Sequence, residues 1–205
     1  MKKIFSIILM GLTFLTTHNA TAEVKDMSNK KILVVYFSRT GEQYGVGNIS
    51  EGNTAIIAKM IAEKTKADIF EIKLKNDTYP TAYTALTEVA LSEKKANARP
   101  EIVGDVTNFA DYDIVFLGSP NWWADMPMAL YTFMEAHDWS GKIVAPFVTH
   151  EGSGLSSIPS KIKTATKAET LEGLAIYGHV AQNDREQVQK TLCNFSNDII
   201  LVGAT

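Results

Sequence analysis

The stretch KILVVYFSRTG, residues 31–41, decides how this chain is read. Ile32 to Phe37 is a continuous apolar run. A strand that is apolar on both faces belongs in a sheet covered by helices on both sides, the usual setting of parallel strands. The run stops at Ser38-Arg39-Thr40-Gly41, and residues 38–52 are rich in Gly, Ser, Thr and Asn, as expected of a loop. A helix pattern follows, with Ala55, Ile56, Ala58, Met60 and Ile61 on one face and Lys59, Glu63 and Lys64 available to water.

Working outward, the alternation repeats. Asp68 to Leu74 reads as a strand, Thr81 to Lys95 as a helix, and Ile114 to Leu117 as a short buried strand ended by Gly118-Ser119-Pro120. Met128 to Ala136 reads as a helix entered through Pro127. Ile143 to Val148 is a strand, Ser156 to Thr164 a weak helix, and Leu171 to Tyr177 a last strand. Asp184 opens a final helix with Val188, Leu192, Phe195 and Ile199 at helical spacing. Strands that alternate with helices predict a three-layer α/β fold with an open parallel sheet. Right-handed crossovers then bring the carboxyl ends of the strands, where ligands bind in such folds, to one edge.

The N-terminus has a different character. Lys2 and Lys3 precede an apolar stretch from Ile4 to Leu15, and Ala20-Thr21-Ala22 supplies a small-x-small cleavage pattern. This is the anatomy of a signal peptide over residues 1–22; the alternative is an uncleaved anchor. The stretch is shorter than the ~20 residues a spanning helix needs, so no stable membrane span is expected after cleavage. Residues 23–30 read as a flexible lead-in and 31–205 as one domain, exported to the periplasm or beyond. The net charge of −3 argues against a nucleic-acid partner, which would require a basic face. One Cys, Cys193, rules out an intramolecular disulfide, and neither C-x-x-C nor H-E-x-x-H occurs, so no metal site is expected.

Three loops at strand ends carry the chemistry. In the first, Ser38, Arg39, Thr40 and Gly41 precede Gly52-Asn53-Thr54 at a helix start. Hydroxyls, an amide and free N–H groups at a helix N-terminus suit a phosphate; alternatively Asn53 caps the helix and the glycines make turns. Gly45-Val46-Gly47-Asn48-Ile49-Ser50 ends in Ser and sits too far before the helix for a dinucleotide fingerprint, and no P-loop Gly-Lys-Ser/Thr exists. The second loop holds Pro120, Asn121, Trp122 and Trp123. Adjacent Trp residues suit stacking on a flat ligand, or else core packing or an oligomer contact; side-chain alternation predicts that one lines a site while the other packs. The third is Thr149-His150-Glu151-Gly152-Ser153-Gly154, whose glycines allow close backbone approach. For His150 a satisfied structural role is the ordinary outcome. Phosphate cradle, aromatic face and polar backbone together fit a phosphorylated planar heterocycle such as FMN, seated at the switch point of strand order 2-1-3-4-5.

At these residues the chain resembles the flavodoxin family, in particular a bacterial flavodoxin-like FMN-binding branch with a Trp-Trp loop. The motifs are Tyr36-Phe37-Ser38-Arg39-Thr40-Gly41, Gly52-Asn53-Thr54-Ala55, Gly118-Ser119-Pro120-Asn121-Trp122-Trp123 and Thr149-His150-Glu151-Gly152-Ser153-Gly154. The resemblance implies FMN phosphate contacts from Ser38, Arg39, Thr40, Asn53 and Thr54. It implies ring contacts from Pro120, Asn121, Trp122 and Trp123, with Thr149, His150, Gly152, Ser153 and Gly154 along the ring's other edge. The family's short phosphate loop is interrupted here by Glu42 to Glu51, an insert that either lies over the flavin or shapes a partner surface. No catalytic residue is implied.

Three functions compete: an FMN-binding electron carrier between redox partners, an FMN-dependent NAD(P)H:quinone-type reductase with a small quinone-like acceptor, and a flavin-free interaction scaffold. An export signal is unusual for a carrier served by cytoplasmic reductases, so donor and acceptor stay open, as does the oligomeric state.

Overall fold

The structure is a computed structural model that describes residues 30–202. The expected signal peptide lies outside the described residues, as does all of the lead-in except Lys30.

The core element is β1 (Ile32–Tyr36), buried along its whole length. The chain then forms a small antiparallel hairpin, β2 (Gly41–Gln43) and β3 (Gly47–Ile49), before α1 (Asn53–Thr65). Next come β4 (Asp68–Glu71), β5 (Lys73–Leu74), α2 (Tyr83–Ala96) and β6 (Ile102–Val103). A 3₁₀ turn at Phe109–Asp111 leads into β7 (Ile114–Pro120) and α3 (Met128–Ala136). Then follow β8 (Ile143–His150), α4 (Ile158–Thr166), β9 (Glu169–Thr170), β10 (Leu174–Tyr177), α5 (Gly178–Asn183) and α6 (Arg185–Val202). The main sheet runs β10-β8-β7-β1-β4, every pairing is parallel, and β9 also pairs with β8. Counting its long strands in chain order, this is the expected 2-1-3-4-5.

The two-residue period of β1 divides the core. Leu33, Val35 and Phe37 pack with Leu86, Leu130, Phe133 and Ile162, on the face covered by α2, α3 and α4. Ile32, Val34 and Tyr36 pack with Ile56, Ile57, Ala181 and Val188, on the face covered by α1, α5 and α6. Each such aliphatic or aromatic side chain is worth roughly 1.5–3 kcal/mol when removed from water. The sheet tolerates no side chain at Gly118 in β7, where a Cβ would stand 2.0 Å from Phe147 Cζ.

Three expectations from sequence are corrected. Residues 38–52 are not all loop: the insert pairs with itself, Gly41 opposite Ile49 and Gln43 opposite Gly47, around a turn closed by Val46 N donating to Gln43 O at 3.3 Å. Gly45 supplies the positive φ of +68° that this turn requires. The strand expected over Asp68–Leu74 divides at Ile72, whose N–H donates to Tyr36 O at 2.7 Å, after which Lys73–Leu74 leaves to pair with β6. The strand expected over Leu171–Tyr177 is broken by Gly173, at φ +95° with its Cβ position 3.0 Å from Pro146 O, so β9 and β10 share one place beside β8. Met128–Ala136 is helical as read. Among the described residues, no helix is long and apolar enough to cross a membrane.

Candidate functional site

A cleft of about 510 Å³ opens at the carboxyl ends of β1, β7 and β8, within the size range of small-molecule sites. At one end lies the N-terminus of α1. Its N-cap is Gly52, which has no side chain to cap with, and the missing acceptor arrives from β1's loop: Ser38 Oγ accepts from Ala55 N at 3.0 Å. Gly52 is required here for space. Its φ of −68° suits any residue, but a Cβ would fall 2.2 Å from Ser38 Oγ and 2.6 Å from Arg39 O. The N–H groups of Asn53 and Thr54 belong to the helix's first turn and have no intrahelical acceptor, which leaves donors and the positive end of a dipole at the cleft.

Asn53 is therefore not the cap. It is the first helical residue, and its Oδ1 accepts from Gln182 Nε2 on α5 at 2.7 Å. Gly178 allows α5 to approach, since a Cβ there would be 2.3 Å from Asn53 Nδ2. Thr54 and Thr149, both buried, share a hydroxyl–hydroxyl hydrogen bond of 2.8 Å that fastens the first loop to the third. Arg39 lines the cleft, yet its guanidinium is committed elsewhere: it pairs with Asp77, donates to Tyr79 O at 3.1 Å and lies 5.2 Å over the Tyr79 ring. Thr40 is exposed and stands outside the lining.

The Trp pair divides its work. Trp122 packs edge-on against Phe37 and Tyr79, each with ring centroids 5.6 Å away. Trp123 is 49% exposed, and its Nε1 donates to Thr87 O on α2 at 2.9 Å. Trp122 and Asp125 exchange backbone hydrogen bonds of 2.8 and 3.1 Å across Trp123 and Ala124, which have φ of +56° and +58°. Two non-glycine residues in the left-handed region cost roughly 1–2 kcal/mol each, so this turn must be held from outside. Asn121 Oδ1 accepts from Ala124 N at 3.1 Å, Ser157 Oγ donates to Ala124 O at 2.8 Å, and Lys94 Nζ donates to Trp123 O at 2.5 Å. Beneath the turn, Asp125 is 4% exposed and accepts from Tyr131 Oη at 2.9 Å, from Met126 N at 2.8 Å and from Lys161 Nζ. Burial and this carboxylate push the Tyr131 hydroxyl pKa up, keeping it a donor.

In the third loop, His150 Nδ1 accepts from Gly152 N at 2.9 Å, which fixes the tautomer of the neutral ring. Burial lowers its pKa, partly opposed by Glu151, so the ring is neutral near pH 7. Glu151 turns to α5 and takes His179 N at 2.7 Å and His179 Nδ1 at 2.8 Å. Ser153 lines the cleft; Gly152 and Gly154 do not. Gly154 O instead accepts from Asn121 Nδ2 at 2.9 Å and ties the second loop to the third.

The cleft thus gathers Ser38, Arg39, Asn53, Thr54, Pro120, Asn121, Trp122, Trp123, Thr149, His150 and Ser153. It is also walled by Gln43 and Tyr44 of the hairpin, within the insert expected either to lie over the flavin or to shape a partner surface, and by Tyr83, Leu86, Thr87 and Ala90 of α2, which the sequence reading missed. The signal was present in α2, where positions 83, 86, 87 and 90 follow the i, i+3, i+4, i+7 spacing of one helical face.

Residues 31–192 match the family model described as Flavodoxin. A structure from Bacteroides uniformis ATCC 8492 assigned as a flavoprotein is 28% identical, covers 80% of this chain and 98% of its own, and superposes with a TM-score of 0.62. A similarly assigned structure from Bacteroides eggerthii DSM 20697 is 26% identical over 82% of this chain and 99% of its own, with a TM-score of 0.61. The flavoprotein from Lactobacillus acidophilus NCFM, solved in complex with FMN, is 22% identical over 77% of this chain and 99% of its own, TM-score 0.56, a likeness of fold. No curated protein matches the chain.

Proposed function

The chain belongs to the flavodoxin family, and we propose that it binds FMN in this cleft and carries electrons between redox partners outside the cytoplasm. The observation that carries the reading is the cradle at α1. Gly52 is kept bare by Ser38 and Arg39, and the first-turn N–H groups of Asn53 and Thr54 lie at the same cleft as an aromatic wall. A phosphate suits the donors, and a planar ring suits Trp122 and Trp123. Asn53, Thr54 and Ser38 would hold the phosphate, and Pro120, Asn121, Trp123, His150 and Ser153 would border the ring. Arg39 shapes the first loop through Asp77 and Tyr79 rather than offering a free charge.

Bound there, FMN supplies the redox chemistry, and the protein's part is to orient it and set its potential. Asp125, neutralised from below by Lys161, adds little net charge to the ring's surroundings, whereas Glu151 borders the cleft. A carboxylate close to the ring would disfavour its anionic form. Export rests on the N-terminal pattern of residues 1–22. The test is a visible absorption spectrum of the purified protein after addition of FMN and desalting. Retained flavin bands are expected; a colourless protein refutes the reading and favours the interaction scaffold. Steady NAD(P)H oxidation in the presence of a quinone would instead identify a reductase.

A further inference from the structure

The hairpin β2–β3 is secured on both sides of the cleft. At its base, Glu42 N donates to Thr81 O at 3.0 Å, and Glu42 Oε2 accepts from Tyr83 N, the first amide of α2, at 2.8 Å. At its tip, a Cβ on Gly45 would lie 3.5 Å from Glu151 Cγ and Oε2, so the turn rests against the loop after β8. The insert is therefore a strap that runs from the α2 side of the cleft to the β8 side.

Tyr44 rides on this strap. The residue is 63% exposed, borders the cleft and leans its ring on Tyr83 at a centroid distance of 5.7 Å. Tyr83 and Thr87 stand one turn apart on α2, about 6 Å along its axis. Thr87 O holds the indole N–H of Trp123. Tyr44 and Trp123, the two most exposed large apolar side chains at the cleft, are thus mounted on neighbouring turns of one helix, with Leu86 and Ala90 continuing the apolar stripe between and beyond them. Exposed aromatic faces that border one cleft are unfavourable in water and are relieved by a flat aromatic ligand. A phosphate or a polar chain would relieve neither.

We propose that Tyr44 is a second ring-stacking residue, and that the strap closes the isoalloxazine of bound FMN against the Trp122-Trp123 loop. This rests on the reading of the cleft as an FMN site. Glu42 is a positioning residue: it fixes the strap to α2 without facing the ring.

The test uses the apoprotein titrated with FMN and, separately, with riboflavin, which carries the same ring without the phosphate. Flavin fluorescence quenching and the rate of flavin release on dilution are recorded. An aromatic contact of this kind corresponds to about a two- to tenfold change in affinity. Tyr44→Ala is expected to weaken both flavins by that factor, to speed release and to relieve quenching; Tyr44→Phe is expected to behave as wild type. Tyr44→Leu keeps apolar bulk without the ring and serves if Tyr44→Ala misfolds. Glu42→Gln is expected to speed release of both flavins. If wild type binds FMN while Tyr44→Ala and Tyr44→Leu quench and release it unchanged, the proposal fails, the strap is a surface for something else, and the FMN reading stands. If wild type binds neither flavin, both fall.

Discussion

Gly52→Ala places one methyl group where the structure has no room for it. The new Cβ would sit 2.2 Å from Ser38 Oγ and 2.6 Å from Arg39 O, and only the first neighbour can rotate away. Moving Ser38 Oγ breaks its hydrogen bond with Ala55 N, which costs about 1 kcal/mol as for other N-caps. Moving the Arg39 carbonyl shifts backbone, which adds about 1–3 kcal/mol of overpacking strain. The total is about 2–4 kcal/mol, or a fall in Tm of roughly 4–16 °C for a domain of this size. Because φ at Gly52 is −68°, none of this is left-handed strain, so Gly52→Ala and Gly52→Ser should be equally poor. Urea unfolding of the apoprotein reads the loss directly. Ser38→Ala alone should cost about 1 kcal/mol. The double variant should then cost less than the sum, since the hydroxyl clash is gone while the clash with Arg39 O remains. A Gly52→Ala variant within 0.5 kcal/mol of wild type, or strict additivity in the double variant, would refute the reasoning.

Other substitutions probe separate parts of the molecule. Gly118→Ala drives a methyl to within 2.0 Å of the buried Phe147 ring and should destabilise by about 3 kcal/mol or more, with Phe147→Leu recovering part of the loss in chemical denaturation. Ala124→Gly relieves a left-handed backbone and should raise apoprotein stability by about 0.5–1 kcal/mol; unchanged or lower stability would show that the turn stores no strain. Lys161→Met leaves Asp125 with Tyr131, Met126 N and the more distant Lys94, and should lower Tm and broaden the near-ultraviolet Trp signal if the ion pair holds the Trp loop. Burial lowers the pKa of His150 and of His137, so the unfolded chain binds more protons as pH falls through the ordinary value of 6.5. Stability should therefore decline from about pH 7 downward and level off below the folded pKa values, and His150→Gln should flatten the curve measured by urea unfolding across that range.

The layers and strand order were legible because β1 and the Ile114–Leu117 part of β7 are unbroken apolar runs and α1 and α3 keep a helical period, signals that survive without context. The hairpin was not, because its strands are three residues long and built from Gly, Glu, Gln, Asn and Ile, with little intrinsic strand preference. They pair only because Gly45 closes the turn and Glu42 reaches α2. Within the site, side-chain alternation separates the neighbours of the Trp pair, Trp122 meeting Phe37 and Tyr79 and Trp123 meeting Thr87, but both border the cleft, so the expected split into one lining and one packing residue does not hold. The commitment of Arg39 to Asp77 was not legible, since its partner is 38 residues away and enters from the chain leading to α2. Ser38 as the cap of α1 was likewise hidden, because capping rules look to the residue before the helix and that residue is Gly52.

That borrowed cap has a consequence for how the molecule opens and closes. A helix capped by its own preceding residue can protect its first turn as an isolated segment. The start of α1 can do so only while the end of β1 stays in the sheet. Amide exchange at Ala55 should then report the undocking of β1 rather than fraying of α1, and should slow to the rate of the sheet's interior amides. A single backbone proton near the helix start would thus record the integrity of the central strand.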